Sequence, residues 1–112
     1  MGISTHILDT ALGRPATNIT VALTQWKDSA WALLNATDTD GDGRVNLLLP
    51  ADHPLYPGLF RVRFNTAAYY KANGIDGLYP YVDIVFETRP GEAHYHIPLL
   101  LTPNSYSTYR GS

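Results

Sequence analysis

The strongest constraint on this chain is the way its apolar residues are cut into short runs. "STHILDTA", "NITVALTQW", "AWALLNAT", "RVNLLL", "GLFRVRFNT", "YVDIVFE", "HYHIPLLLT" and "SYSTYR" follow one another with clusters of Gly, Pro, Asn or Asp between most of them. Runs rich in β-branched and aromatic residues, interrupted this often, predict strands rather than helices. About eight strands at this spacing predict an all-β fold, a two-sheet β-sandwich. "GRPA" reads as a turn, and a bend at "KDSA" (27–30) pairs the runs on either side of it as a hairpin. Only "NTAAYYKANG" asks to be a helix: Asn65 or Thr66 caps it, and Gly74 supplies the stop. No repeat, linker or low-complexity tract divides the chain, so residues 1–112 are expected to form one domain.

Composition removes several function classes. A chain of 112 residues can bury a core yet is small enough for a shared interface to matter. Its 45% hydrophobic and 16% charged content is that of a globular protein rather than a disordered one. A net charge of −2 and a pI near 6.0 provide no basic field for a phosphate backbone, so no nucleic-acid partner is expected. Without cysteine, disulfides, thiol chemistry and thiolate metal sites are excluded. "MGISTHIL" has neither the charged nor the long apolar region of a signal peptide, which favours the cytosol, and His6 breaks the myristoylation pattern. No apolar stretch approaches the roughly 18 residues of a membrane span, so no membrane partner is expected either.

Alternation along a strand decides which side chains share a face. In the first run, Ser4, His6, Leu8 and Thr10 lie together, opposite Ile3, Thr5, Ile7 and Asp9. His6 thus stands on a mixed face, neither plainly core nor plainly solvent. In "HYHIPLLL" the same rule groups His94, His96, Pro98 and Leu100. Two histidines at i and i+2 can share a metal, but zinc wants three or four protein ligands and no thiolate completes the set. Histidines are equally suited to passing protons near neutral pH.

"DTDGDGRV" (38–45) resembles the start of a calcium loop, with Asp38, Asp40, Asp42 and Gly43 at positions one, three, five and six. Position twelve, where a bidentate glutamate belongs, is Leu49. The aspartates read more simply as turn formers, and Arg44, opening a strand behind them, is held near a sheet end. Its alternative reading is a solvated turn arginine. The closing "YSTYRGS" reads as a strand with a frayed tail, or as a tail ending in a cloning remnant.

Three blocks in order, "THILDTALGRPA", "TDTDGDGR" and "HYHIPLLLTPNSYSTYRGS", give the chain its resemblance to the 5-hydroxyisourate hydrolases, the transthyretin-like proteins of urate breakdown. Tyr109, Arg110, Gly111 and Ser112 are similar to the tetrapeptide that separates these enzymes from transthyretin hormone carriers. The resemblance implies a sandwich of about eight strands with one short helix after the fifth. It also implies a homotetramer, a dimer of dimers with active sites at the dimer–dimer contact, and hence an inactive monomer. His6, Arg44, His96 and Ser112 then match catalytic positions. Tyr109, with His6 and Arg44, matches the substrate contacts. No metal or other cofactor is implied, and His94 is not among the implied catalytic residues.

The implied reaction opens 5-hydroxyisourate at the N1–C6 amide, giving 2-oxo-4-hydroxy-4-carboxy-5-ureidoimidazoline. A neutral imidazole can take the proton of attacking water, and an arginine can stabilise the oxyanion without losing its own proton. Three alternatives stand beside this one: a small-ligand carrier on the same fold, a metal-dependent hydrolase using His94 and His96, and a calcium-ordered module. A chelator separates the last two from the first reading.

Overall fold

The computed structural model describes residues 2–112, in nine strands and one helix. The strands are β1 (Gly2–Asp9), β2 (Arg14–Pro15), β3 (Thr20–Lys27), β4 (Ala30–Asp38), β5 (Arg44–Val45), β6 (Gly58–Phe64), β7 (Val82–Thr88), β8 (His94–Thr102) and β9 (Ser105–Thr108), and α1 spans Thr66–Ala72. One sheet runs β2-β1-β8-β9, with β5 also paired to β1; the other runs β4-β3-β6-β7. Alternation explains the packing. Ile3 and Ile7 of β1 and Ile97, Leu99 and Leu101 of β8 face Val21, Leu23, Phe60, Val62, Phe64 and Val82 from the second sheet, all buried in one cluster. The sandwich expected from the runs is therefore present.

One strand more than the expected eight is present, the two-residue pairing β2. "GRPA" is not only a turn: Arg14 and Pro15 pair antiparallel with Asp9 and Leu8. Because of this extra strand, the helix follows the sixth strand rather than the fifth. "RVNLLL" keeps strand form only at Arg44 and Val45. Beyond them the Leu48 N–H still donates to the Ile3 carbonyl at 2.9 Å, while the Leu48 carbonyl accepts from Asn35 Nδ2 of β4 at 2.9 Å. That segment bridges the two sheets, so it cannot stay in the ladder of one.

The turn at Asp28 and Ser29 joins β3 to β4, with Lys27 opposite Ala30. Both turn residues have positive φ, 54° and 63°. This is the backbone whose twist matches a two-residue hairpin. Asn65 is the helix cap, its side chain accepting from the Ala68 N–H, and Gly74 with φ of 66° follows the last turn. The helix buries Tyr69, whose hydroxyl donates to Asp9 Oδ2 at 2.7 Å. Asp9 Oδ1 meanwhile accepts the N–H groups of Ala11 and Leu12, so one carboxylate holds both the end of β1 and the helix. Burial and that carboxylate push the Tyr69 hydroxyl up to about 12. Among the described residues, no helix is long and apolar enough to cross a membrane.

Candidate active site

β1 and β8 pair in parallel, with Ser4 opposite His96 and His6 opposite Pro98. Since the core takes Ile3, Thr5 and Ile7 from β1 and Tyr95, Ile97 and Leu99 from β8, the alternate residues Ser4, His6, His94 and His96 share the outer face. The other edge of β1 pairs antiparallel with β5, placing His6 opposite Arg44. Directly opposed residues of an antiparallel pair project to the same side, about 5 Å apart at Cβ. Three segments far apart in sequence thus bring His6, Arg44 and His96 onto one sheet face.

The acidic turn fixes the backbone at Arg44. Asp40 Oδ1 accepts the backbone N–H groups of Asp42 and Arg44, each at 2.9 Å, and Asp38 Oδ1 accepts the Thr20 hydroxyl at 2.8 Å. Those two N–H bonds, Arg44's first, hold the Asp40 carboxyl below the usual carboxylate range. Gly43 has φ of 73°, and a Cβ there would stand 2.5 Å from the Ile7 carbonyl oxygen, so only glycine lets the turn press against β1. Its own carbonyl accepts the Ile7 N–H at 2.8 Å. Among the described residues no three His, Cys, Asp or Glu side chains gather as a metal-binding group.

Asp40→Ala frees the two N–H groups. It is expected to lower turnover by about tenfold by loosening Arg44, and Asp40→Asn, which keeps an acceptor oxygen, is expected to recover most of it. Because the folded carboxyl is depressed, its hold on the loop is complete at neutral pH and weakens only as pH falls below the free value of 3.8. Steady-state rates of the two variants side by side check this; equal rates would detach the loop from the site.

The tail docks beside the histidines. Beyond β9 the chain continues antiparallel along β8, where the Gly111 N–H donates to the His96 carbonyl at 2.8 Å. Arg110 anchors it: Nη1 donates to Glu92 Oε2 at 2.7 Å, Nη2 to the His94 carbonyl at 3.3 Å, and the guanidinium lies 4.4 Å from the centre of the Tyr95 ring. Tyr95 is itself fixed, its hydroxyl donating to Glu92 Oε1 and accepting the Arg89 N–H. A Cβ on Gly111 would overlap His96 Cδ2, so the tail lies directly against the imidazole. Ser112 follows at the exposed end of this strand-like extension.

Tyr109 is placed differently. It lines a cavity of about 300 Å³ with Ile84, Phe86, Tyr95 and Arg110, and none of His6, Arg44 and His96 borders it. A larger cavity of about 540 Å³, beside α1 and Arg14, contains no histidine either. On the outer face of the sheet, His6 and His96 are half-buried and Arg44 is exposed.

Burial lowers the His96 pKa, and the positive charges of Arg44, His6 and His94 lower it further. His96 is accordingly neutral at pH 7, with a ring nitrogen free to accept a proton. Its Nδ1 lies 2.8 Å from Ser4 Oγ, which also lies 3.2 Å from His94 Nε2. Ser4 was only a face-mate of His6 in the sequence. Its contact with both histidines depends on a parallel register between residues some ninety positions apart, for which the local pattern carries no signal. Glu92 and Tyr95 likewise gain meaning only once the tail is seen folded over them.

The family model for "Transthyretin: HIUase/Transthyretin family" matches residues 3–111. The chain belongs to this family. A protein of Salmonella dublin named 5-hydroxyisourate hydrolase is 43% identical over 110 residues, covering 98% of this chain and 80% of that relative. The structure of Klebsiella pneumoniae 5-hydroxyisourate hydrolase superposes with a TM-score of 0.87 at 34% identity, covering all of both chains. Sea bream transthyretin, in complex with thyroxine, superposes with a TM-score of 0.91 at 30% identity, over 99% of this chain and 95% of that one. The backbone thus resembles a 5-hydroxyisourate hydrolase and a thyroxine-bound transthyretin almost equally. What separates the two readings of a HIUase/Transthyretin chain is the side chains on the outer face.

Proposed function

We propose that this chain is a 5-hydroxyisourate hydrolase, acting as a single domain in urate breakdown. The observation that carries the reading is the convergence of His6, Arg44 and His96 on one face, with the Gly111–Ser112 tail against the imidazole. His96, held neutral, takes a proton from water as it attacks C6. Arg44 stabilises the oxyanion that forms on C6, and His6 supplies the proton to departing N1. Ser112 hydrogen-bonds the attacking water. Opening of the ring at N1–C6 gives 2-oxo-4-hydroxy-4-carboxy-5-ureidoimidazoline.

The working assembly is a dimer of dimers with the cleft at the dimer–dimer contact. An open face bearing acid–base groups is what a half-site requires, because a two-fold contact brings a second copy of the same patch across it. Tyr109, which lies apart from the histidines within one chain, contacts substrate from a neighbouring subunit in this arrangement. The second reading, a small-ligand carrier, is favoured only by the close superposition on thyroxine-bound transthyretin.

Ultraviolet decay of freshly generated 5-hydroxyisourate tests the proposal. Decay accelerated by the protein and unchanged by a chelator is expected; no acceleration by a folded assembly would leave the carrier reading. The same assay gives the pH dependence. With His96 as the base, the unprotonated ring is the active form, and its pKa is lowered from 6.5. The acid limb of kcat/KM is therefore expected to fall below pH 6.5, and a limb above that value would remove His96 from the role of base.

A further inference from the structure

We propose that Ser4 and His94 form a proton relay behind His96, through which the proton displaced from His96 Nδ1 passes to the solvent-facing ring of His94. The proposal deepens the hydrolase reading and rests on it. The geometry is a line of three groups. Ser4 Oγ lies 2.8 Å from His96 Nδ1 and 3.2 Å from His94 Nε2, and the serine is buried at 7% exposure. His96 is half-buried beneath the tail, whereas His94 is exposed. A hydroxyl has one hydrogen, so Ser4 donates to one ring and accepts from the other.

Two arrangements of the hydrogens follow. In the first, His96 Nδ1–H donates to Ser4, Ser4 donates to His94 Nε2, and His96 Nε2 is bare, as a base must be. In the second, His94 Nε2–H donates to Ser4, Ser4 donates to His96 Nδ1, and His96 carries its hydrogen on Nε2. When Nε2 takes the proton of attacking water, the O–H bond breaks, the oxygen bonds to C6, and a new N–H bond forms. The Nδ1 proton moves to Ser4 Oγ, the Ser4 proton moves to His94 Nε2, and His94 gives up its Nδ1 proton to water. Charge and protons balance, and His96 is neutral before and after. That outcome suits its surroundings. Burial opposes an imidazolium at His96, and so does the facing charge of Arg44 from β5; His6 from β1 and His94 from its own strand are the other titratable groups beside it. The Arg110 guanidinium, bonded to the His94 carbonyl, is itself paired with the Glu92 carboxylate at 2.7 Å, so the two charges behind the relay offset one another.

The test compares Ser4→Ala, Ser4→Thr and His94→Gln with the unmodified protein in the 5-hydroxyisourate assay. Ser4→Ala and His94→Gln are each expected to lower kcat about tenfold, a part of the roughly 10²–10⁴ that positioned acid–base groups supply, while KM moves little. Added imidazole is expected to restore rate to both in proportion to its concentration, and Ser4→Thr, which keeps the hydroxyl, to retain it. A purely structural role would respond to neither. Unchanged kcat in both variants, or a loss that imidazole leaves untouched, overturns the relay. Absence of turnover in the unmodified protein overturns the hydrolase reading and the relay with it, whereas an active protein with unaffected variants overturns the relay alone. Should Ser4→Ala fail to fold, nitrogen-15 shifts decide: the proton position on the His96 ring is expected to differ between the unmodified protein and His94→Gln, and an indifferent His96 refutes the coupling.

Discussion

Arg44→Lys is expected to reduce kcat for 5-hydroxyisourate by about a hundredfold or more, the cost of losing one oxyanion donor in a preorganised site. Lysine keeps the positive charge, so charge alone is not what the substitution removes. It removes a planar fork whose direction is set by the turn behind it, where Asp40 holds the Arg44 N–H and Gly43 presses on β1. The loss belongs to chemistry rather than to folding. Arg44 is exposed and its side chain makes no salt bridge among the described residues, and surface substitutions of that kind usually move stability by no more than about 0.5 kcal/mol. Initial rates and a thermal melt on the same preparation separate the two effects. Near-native turnover would take Arg44 out of the mechanism.

Gly111→Ala is expected to be nearly as damaging, for a different reason. The backbone there does not occupy the left-handed region, so alanine meets no conformational penalty. The difficulty is space: the added methyl would overlap His96 Cδ2 and stand 3.2 and 3.3 Å from His96 Cγ and Cβ. Either the ring or the tail must shift by about 1 Å, and a displacement of that size in a catalytic group costs on the order of a hundredfold in rate. Thermal stability is expected to change little, because the tail lies outside the core. A variant with full activity would mean that neither Ser112 nor the His96 ring needs its present position.

How much of this was legible in the sequence depends on whether the physics was local. Alternation in "STHILDTA" and "HYHIPLLLT" grouped the right residues on shared faces without saying which face was outer, and the turn at 28 and 29 and a cap at Asn65 or Thr66 were readable because each is decided by its immediate neighbours. The strand Arg14–Pro15 was not, since it is a strand only by virtue of an edge of β1 that the local sequence does not reveal, and the strand expected over "RVNLLL" keeps only Arg44–Val45. The same limit governs the site. His6, Arg44 and His96 were found by resemblance, and the register brings them together; Ser4 and the Glu92–Tyr95–Arg110 anchor needed the register to be noticed at all. The acidic turn, read as a turn former rather than a calcium loop, behaves so for a chemical reason. Aspartate oxygens serve a loop's own N–H groups as readily as a cation, and here Asp40 takes two of them.

The parallel pairing of β1 with β8 also sets a schedule for the nascent chain. The contacts that join Ser4 to His94 and His96 span 90 and 92 positions. At ribosomal speeds of about 5–20 residues per second, β1 waits roughly 5–20 s for its partner strand to be synthesised. During that wait one long edge of β1 is bare, an invitation to strand exchange with neighbouring polypeptides. Closure at such sequence separation is also slow once both strands exist, in the range of milliseconds to seconds for folds dominated by distant pairings. The proton-handling face is therefore among the last parts of the molecule to form, and a ribosome stalled before β8 would release a chain with a β3–β4 hairpin but no chemistry.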